Sequence, residues 1–503
     1  MPVSKSTGEI HRLGEHALVV GGSIAGLLAA RVLRDYFDRV TVVERDTIPE
    51  RAESRKGVPQ GRHVHAIFLG GVKVIERLFP GLFDELVADG AIFCDPVKDL
   101  CWYHQGVWKL RTPSDLTAYL QTRPFLEAHI RRRTRSDRDI HFLKECEVVR
   151  LLADPERTRI IGAEVRHRGE GGWAEELRAD LVVDAAGRGS RLPHWLQSLG
   201  YSPPEETTVE VHIGYASRIY ERTEQGGRDW QILAVYGTPP AGTRTGYLFP
   251  IEGGRWLATA VGFLQDYPPD DEAGFLEFAR SLEVPDFYEA IKDAKPLTPI
   301  ATFKFPCQRW RRYERLARLP DGLLGLGDAV CCFNPVYGQG MSTCALQVDL
   351  LDRLLRQCGR EVPAGFAKRF FHEAAKIIAN PWLLATTSDF LYPQTRGKRP
   401  FGIRLMHWYL TRLFESCAWN KSVLLRFYRV LNFLKGPGVL FRPSTILAVL
   451  TGILRFRGKH KRMAQHRPVL LEERDGQQIC LPGAGARPPD RVPAPGPGDR
   501  IYG

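Results

Sequence analysis

VVGGSIAG, residues 19–26, decides how this chain is read. It follows a short apolar run, Ala17–Val20, and leads into an alanine-rich apolar stretch from Ile24 to about Tyr36. That order predicts strand, tight turn and helix. A G-x-G-x-x-G dinucleotide turn would start at Gly21 and end at Gly26, but its middle glycine is Ser23. In such a turn the first glycine makes the bend, the second admits a pyrophosphate close to the backbone, and the third lets the helix pack on the strand. Serine is the next smallest polar residue and can donate to phosphate, so the pattern is weakened rather than lost. A second strand, Val40–Val43, ends on Glu44, 18 residues past Gly26. A carboxylate there accepts from both hydroxyls of an adenosine ribose and repels a 2′-phosphate, so this site is expected to refuse NADP. Gly21, Gly22, Ser23, Gly26, Glu44 and Arg45 form one half of the expected cofactor site.

The other half is expected some 300 residues later, in LLGLGDAVCCFNPVYGQGMS, residues 323–342. An apolar strand, Leu323–Leu326, runs into Gly327–Asp328; Pro335, Gly338 and Gly340 follow, and a helix starts near Met341. A helix N-terminus carries about half a unit of positive charge and stabilises negative charge placed against it. A third stretch, LVVDAAGRGSRLPHWL, spans residues 181–196.

Together these stretches resemble the FAD-dependent monooxygenases related to the aromatic hydroxylases and squalene epoxidase. With RKGVPQGRHVH and PIEGGRWLAT added, the chain looks most like bacterial flavin epoxidases that act on polyether polyketide precursors, over residues 17 to about 385. The resemblance implies that Asp328 bonds the ribityl chain of FAD. It implies that the loop from Pro335 through Gly338, Gly340 and Met341 sets backbone N–H groups against the flavin pyrimidine edge. It also implies that Arg62 and Arg123 face the cofactor, and a guanidinium fork suits a pyrophosphate; Arg55 is a weaker candidate. The family's D-G-x-x-S motif is altered here: Gly187 and Ser190 fit, but Ala186 precedes the glycine and the acid is Asp184. Direct docking of NADPH through that motif is therefore not expected, and no second glycine fingerprint is present. Electrons are expected from NAD(P)H, bound transiently or acting through a separate flavin reductase.

The expected fold is α/β: a Rossmann-type, glutathione-reductase-like FAD-binding domain, an inserted antiparallel β-sheet substrate domain and a helical C-terminal region. The expected divisions are an arm (1–16), FAD-binding parts at 17–85, 121–203 and 306–385, substrate-domain parts at 86–120 and 204–305, a basic helical region (386–470) and a disordered tail (471–503). The expected activity is a monooxygenase in which O2 and a flavin C4a-hydroperoxide epoxidise or hydroxylate an apolar, alkene-rich polyketide or isoprenoid. The rival reading is an isoprenoid reductase of the geranylgeranyl-reductase kind, which saturates double bonds. A halogenase is disfavoured by the lack of a W-x-W-x-I-P stretch and of an evident lysine in that role. The flavin does the oxidising, so no catalytic side chain is assigned. Tyr337 is weighed as a donor to the departing hydroxide, with packing preferred.

Composition sets the remaining bounds. The chain has 503 residues, 44% hydrophobic and 25% charged, which suits a globular protein with a sizeable core. Ten cysteines show no C-x-x-C pair, which reads as reduced thiols in a cytoplasmic protein. His63 and His65 lack a third ligand, so no metal site is expected. The net charge of +12 is concentrated: from Arg396 to Arg467 there are 16 Lys/Arg and one acid, Glu415. That block interleaves bases with aromatics. It reads either as a peripheral membrane surface or as a helical cap on the FAD domain, and no nucleic-acid motif accompanies it.

Overall fold

The Gly14–Val20 strand pairs in parallel with Phe37–Glu44 on one side and Leu181–Asp184 on the other. Ile140–Lys144 and Leu323–Gly325 close the two edges, giving a five-stranded parallel sheet. Such a sheet is buried on both faces, which is why Ala17, Leu18, Val19, Val182 and Val183 form apolar runs with no exposed surface. Helices Ile24–Leu33, Leu69–Leu78, Arg123–Arg135, Gly340–Leu355 and Phe366–Asp389 pack on one another beside it. A three-stranded antiparallel sheet, Cys146–Ala153, Ile160–His167 and Ala174–Arg178, packs against the Phe37–Glu44 and Leu181–Asp184 strands. The computed structural model describes residues 11–168, 172–222, 228–456, 470–474 and 477–481.

A second, nine-stranded sheet is built around the long strand Glu206–Glu221, flanked by Ala301–Arg311 and Arg255–Gly262. Ile251 pairs with Arg255, closing the hairpin expected at PIEGGRW. The sheet also recruits Leu100–His104, Cys331–Cys332 and Arg396–Gly397 from distant parts of the chain. It is antiparallel except where Ile232–Val235 meets Leu100–His104 in parallel.

Three expectations are corrected. The first strand begins at Gly14, inside the expected arm, because the Asp180 carboxylate accepts the N–H groups of Glu15 and His16. The expected disordered tail starts with structure: Leu470–Arg474 and Gln477–Leu481 pair antiparallel. In sequence, the Asp-Gly dipeptide at 475–476 that joins them is a hairpin signal, set before the Pro/Gly-rich stretch; residues 482–503, like 1–10 of the arm and 457–469 of the basic block, lie outside the described residues. Finally, the C-terminal helices do not cap chiefly the parallel-sheet domain. Tyr409, Leu410, Leu413 and Phe414 of helix Ile403–Ser416, with Val423, Leu424 and Phe427 of helix Lys421–Leu431, join one core with Trp102, Tyr215 and Tyr247 of the nine-stranded sheet.

Candidate functional site

The Ser23 turn explains its own departure from the glycine pattern. Gly21 has φ +102°, and a Cβ there would lie 2.7 Å from the Ala185 carbonyl oxygen. At Gly26 a Cβ would sit 1.8 Å from the Gly21 oxygen, so no side chain fits. Ser23, by contrast, is extended, with φ −92° and ψ −174°, a conformation any residue adopts. Its hydroxyl is also employed: it donates to Glu127 Oε2 at 2.9 Å and accepts from Arg123 Nη2 at 2.8 Å.

Around this turn the charges are paired with one another. Gly22 N–H donates to Glu44 Oε2 at 2.8 Å, and Asp46 N–H to Glu44 Oε1 at 2.9 Å. Arg55 bridges Glu44 (2.9 Å), Asp46 (3.2 Å) and Glu127 (3.1 Å). Burial alone would raise the Glu127 carboxyl; Arg123 and Arg55, with the Ser23 hydroxyl and Arg131, outweigh it and hold the group below its ordinary value. Arg55, the weaker candidate by sequence, is thus the hub of this network. Arg45 and Arg62 are exposed, whereas Arg123 is buried between Ser23 and Glu127.

The second turn lies directly beside the first. A Cβ at Gly327 would come within 3.4 Å of the Ala25 Cβ. Asp328 therefore faces the Ser23 turn, within the field of Arg123 and of Arg188. Its carboxylate has little to hold: among the described residues its one hydrogen-bond contact is a long one from Cys332 Sγ, at 3.8 Å. Burial raises its proton affinity more than Arg123 and Arg188 lower it. Gln339, at the start of helix Gly340–Leu355, keeps its buried Oε1 without a partner. The first N–H groups of that helix have no acceptor within the helix either.

The loop between, Asn334–Gly338, is fastened from behind. Asn334 Oδ1 accepts Val336 N–H, and Asn334 Nδ2 donates to Asp389 Oδ1 at 2.9 Å. Tyr337 Oη donates to the same oxygen at 2.7 Å, and Gln308 Nε2 to Asp389 Oδ2 at 2.6 Å. Burial pushes the Asp389 carboxyl up to about 7 despite these three donors. The Tyr337 proton is committed to Asp389, so its role here is to anchor the loop. On the open side stand Tyr236 and Tyr247 of the nine-stranded sheet, each with its hydroxyl 3.5 Å from the Val336 oxygen. Tyr215 Oη, Trp102 Nε1 and His104 Nδ1 are buried nearby without hydrogen-bond partners among the described residues.

The remaining motifs are structural. Asp184 is fully buried and folds its own loop by accepting from Ala186 N–H at 3.0 Å and from the Ser190 hydroxyl. His63 packs on Tyr215 and accepts or donates at Ser217 Oγ, 2.8 Å; burial lowers its pKa to about 4, so it is neutral. Cys331 and Cys332 are buried thiols.

Sequence reasoning missed Glu127, Asp389, Gln308 and Arg188. The i,i+4 spacing of Arg123 and Glu127 on a helix was a usable signal for the first. Asp389 ends a helix whose local pattern says nothing of the loop it meets 52 residues back.

No protein-family model matches the sequence. Protein Rv3254 of Mycobacterium tuberculosis (strain ATCC 25618 / H37Rv) is 35% identical over 413 residues, which is 79% of this chain and 86% of that protein. The chain belongs to the family of Protein Rv3254. Among solved structures, the flavin-dependent brominase Bmp2 superposes with a TM-score of 0.62 at 13% identity, covering 89% of this chain and 100% of its own. The p-nitrophenol 4-monooxygenase PnpA from Pseudomonas putida DLL-E4 gives 0.60 at 17% identity, covering 85% and 99%. PqsL from Pseudomonas aeruginosa, a probable FAD-dependent monooxygenase, gives 0.53 at 19%, covering 75% and 97%. This Rv3254-family chain thus has the fold of the FAD-dependent monooxygenases and halogenases.

Proposed function

We propose that the protein is an FAD-dependent monooxygenase acting on an apolar substrate by epoxidation or hydroxylation. One observation carries the reading: two turns some 300 residues apart in sequence meet, with Gly327 against Ala25 and Asp328 in the field of Arg123. Unspent polar groups support the fit to a dinucleotide. The Asp328 carboxylate suits a ribityl hydroxyl, and the Gln339 oxygen with the first N–H groups of its helix suits the donor and acceptor edge of a flavin. Gly21, Gly22, Ser23 and Gly26 would lie along the pyrophosphate, Arg123 would face it, and Glu44 would take the ribose. Arg45 and Arg62, being exposed, would contribute at the rim.

When bound and reduced, FAD supplies the activation of O2 and the transfer of one oxygen atom. The chain's own work is positioning. Asp389 holds the Asn334–Gly338 loop rigid through Tyr337, Asn334 and Gln308. The tyrosine and tryptophan wall excludes water and presents the substrate to that loop. Electrons would come from NAD(P)H, directly or through a flavin reductase.

The test has two stages. Purified protein should be yellow, or become so with FAD; a preparation that stays colourless would end the cofactor reading. Reduced holoprotein given 18O2 with a panel of alkenes and phenols should place label in the product, whereas an unlabelled, saturated product would identify a reductase instead.

A further inference from the structure

We infer that the C-terminal helical cap is a docking surface for an anionic membrane, lying on the bilayer without crossing it. No helix among the described residues is long and apolar enough to span one.

The cap has two apolar faces, and only one is used. Its inner face is spent on the nine-stranded sheet, as described. Among the described residues nothing covers its outer face: Phe401 is fully exposed, Leu405 is 70% exposed and Leu447 62%, with Trp408, Phe441 and Leu450 at 39–47%. Leu405 and Trp408, three residues apart, fall on one side of helix Ile403–Ser416, and Phe401 precedes that helix at the Gly402 turn. Phe441, half on the surface, packs at a tilt against the buried Tyr409 of the first helix, with ring centroids 5.2 Å apart. Helix Pro443–Phe456, which carries Leu447 and Leu450, packs alongside Ile403–Ser416 and has no charged residue from Pro443 to Leu454. The apolar stripe is therefore shared by two adjacent helices.

Basic residues border it. From Arg396 to Arg442 there are ten Lys/Arg and one acid, Glu415, which is already paired with Arg412 at 2.6 Å. Arg426, Arg429, Lys435 and Arg442 line a pocket of about 190 Å³ next to Phe441. Arg429 is paired with Asp115 at 3.1 Å and Arg426 donates to Thr445 at 2.6 Å, so the pocket has bases held in place but contains no acid. Its chemistry suits a phosphate of a lipid headgroup. An apolar stripe that enters the acyl boundary, rimmed by bases that meet anionic headgroups, is what an interfacial helix needs. Charge argues against a second copy as the occupant, because two such faces would repel.

Flotation of the full chain with vesicles tests this without reference to the flavin. Vesicles of phosphatidylcholine with phosphatidylglycerol should carry the protein; phosphatidylcholine alone should carry much less, and high salt should weaken the first. Leu405→Asp combined with Leu447→Asp should reduce partitioning about tenfold or more. Arg426→Glu with Arg442→Glu should reduce it similarly and flatten the salt dependence. Leu405, Leu447 and Arg442 are exposed and Arg426 is half-buried, so an unchanged melting temperature is required of both variants to show that the fold is intact. The inference is overturned if the aspartate variant floats as the native chain does, or if no vesicle carries the native chain. It is equally overturned if duplex DNA, with no need of Leu405 or Leu447, binds instead, or if the aspartate pair merely converts a dimer to a monomer.

Discussion

The two turns that meet at the candidate site are made of similar residues and stand in opposite electrostatic states. Around Ser23 the buried charges are paired: Arg55 holds three carboxylates, and the serine joins Glu127 to Arg123. Around Asp328, among the described residues, the carboxylate has only a distant thiol and Gln339 has an idle oxygen. The lesson is that the first turn is stabilised by its own network and, on the proposed reading, would have to rearrange to admit a ligand, whereas the second has polar groups that a ligand would complete. A buried polar group lacking a partner costs free energy that a ligand can return.

Five measurements would break or sharpen that contrast. The largest effect is steric. Gly26→Val would drive a side chain into the Gly21 carbonyl, and we expect a loss of about 3 kcal/mol or more, read as poor expression or a collapsed thermal transition. Next is Arg55→Ala, which leaves Glu44, Asp46 and Glu127 facing one another unpaired. Chemical denaturation should register a loss of about 3–5 kcal/mol; a loss below about 1 kcal/mol would mean the network is ornamental. Asp328→Asn should act in the reverse sense. The ligand-free protein should be as stable or more so, while affinity for FAD falls about tenfold to a hundredfold by titration. The contrast fails if stability falls and affinity holds.

The same pair of carboxylates gives opposite pH dependence. Glu127 has a folded pKa below its unfolded value of about 4.3, so its contribution is present above that value and is lost as pH falls through the folded one. Asp328 is raised, so its contribution is complete below about 4 and is lost as pH rises through its folded value. Stability curves against pH for Glu127→Gln and Asp328→Asn should each remove one of these slopes. The smallest effect belongs to Ser23→Gly. It deletes two hydrogen bonds while the extended backbone needs no glycine, so unfolding should show a loss of about 1 kcal/mol.

Much of this site could be read from the sequence because its local signals are steric. Gly21 and Gly26 announce a turn that nothing else fits, and a continuous apolar run such as Ala17–Val20 announces a doubly buried strand. Asp328 was legible because it sits between a strand and a helix of recognisable form. What could not be read depends on long-range packing. Asp389 meets Asn334, Tyr337 and Gln308 only because one helix end reaches two other elements, and no periodicity encodes that. The cap was read as basic and aromatic, yet which of its faces is buried is settled by the sheet it meets, through Trp102 and Tyr247.

The order of strands in the parallel sheet has a consequence during synthesis. The glycine turn leaves the ribosome early, but the edge strand Leu323–Gly325 and the helix at Gly340 follow only after about three hundred more residues. At about 5–20 residues per second that is roughly 15–60 s in which the nascent chain carries half a binding site. On the proposed reading coenzyme capture is therefore a late event, and a chain cut short before residue 340 would carry only the first of the two turns.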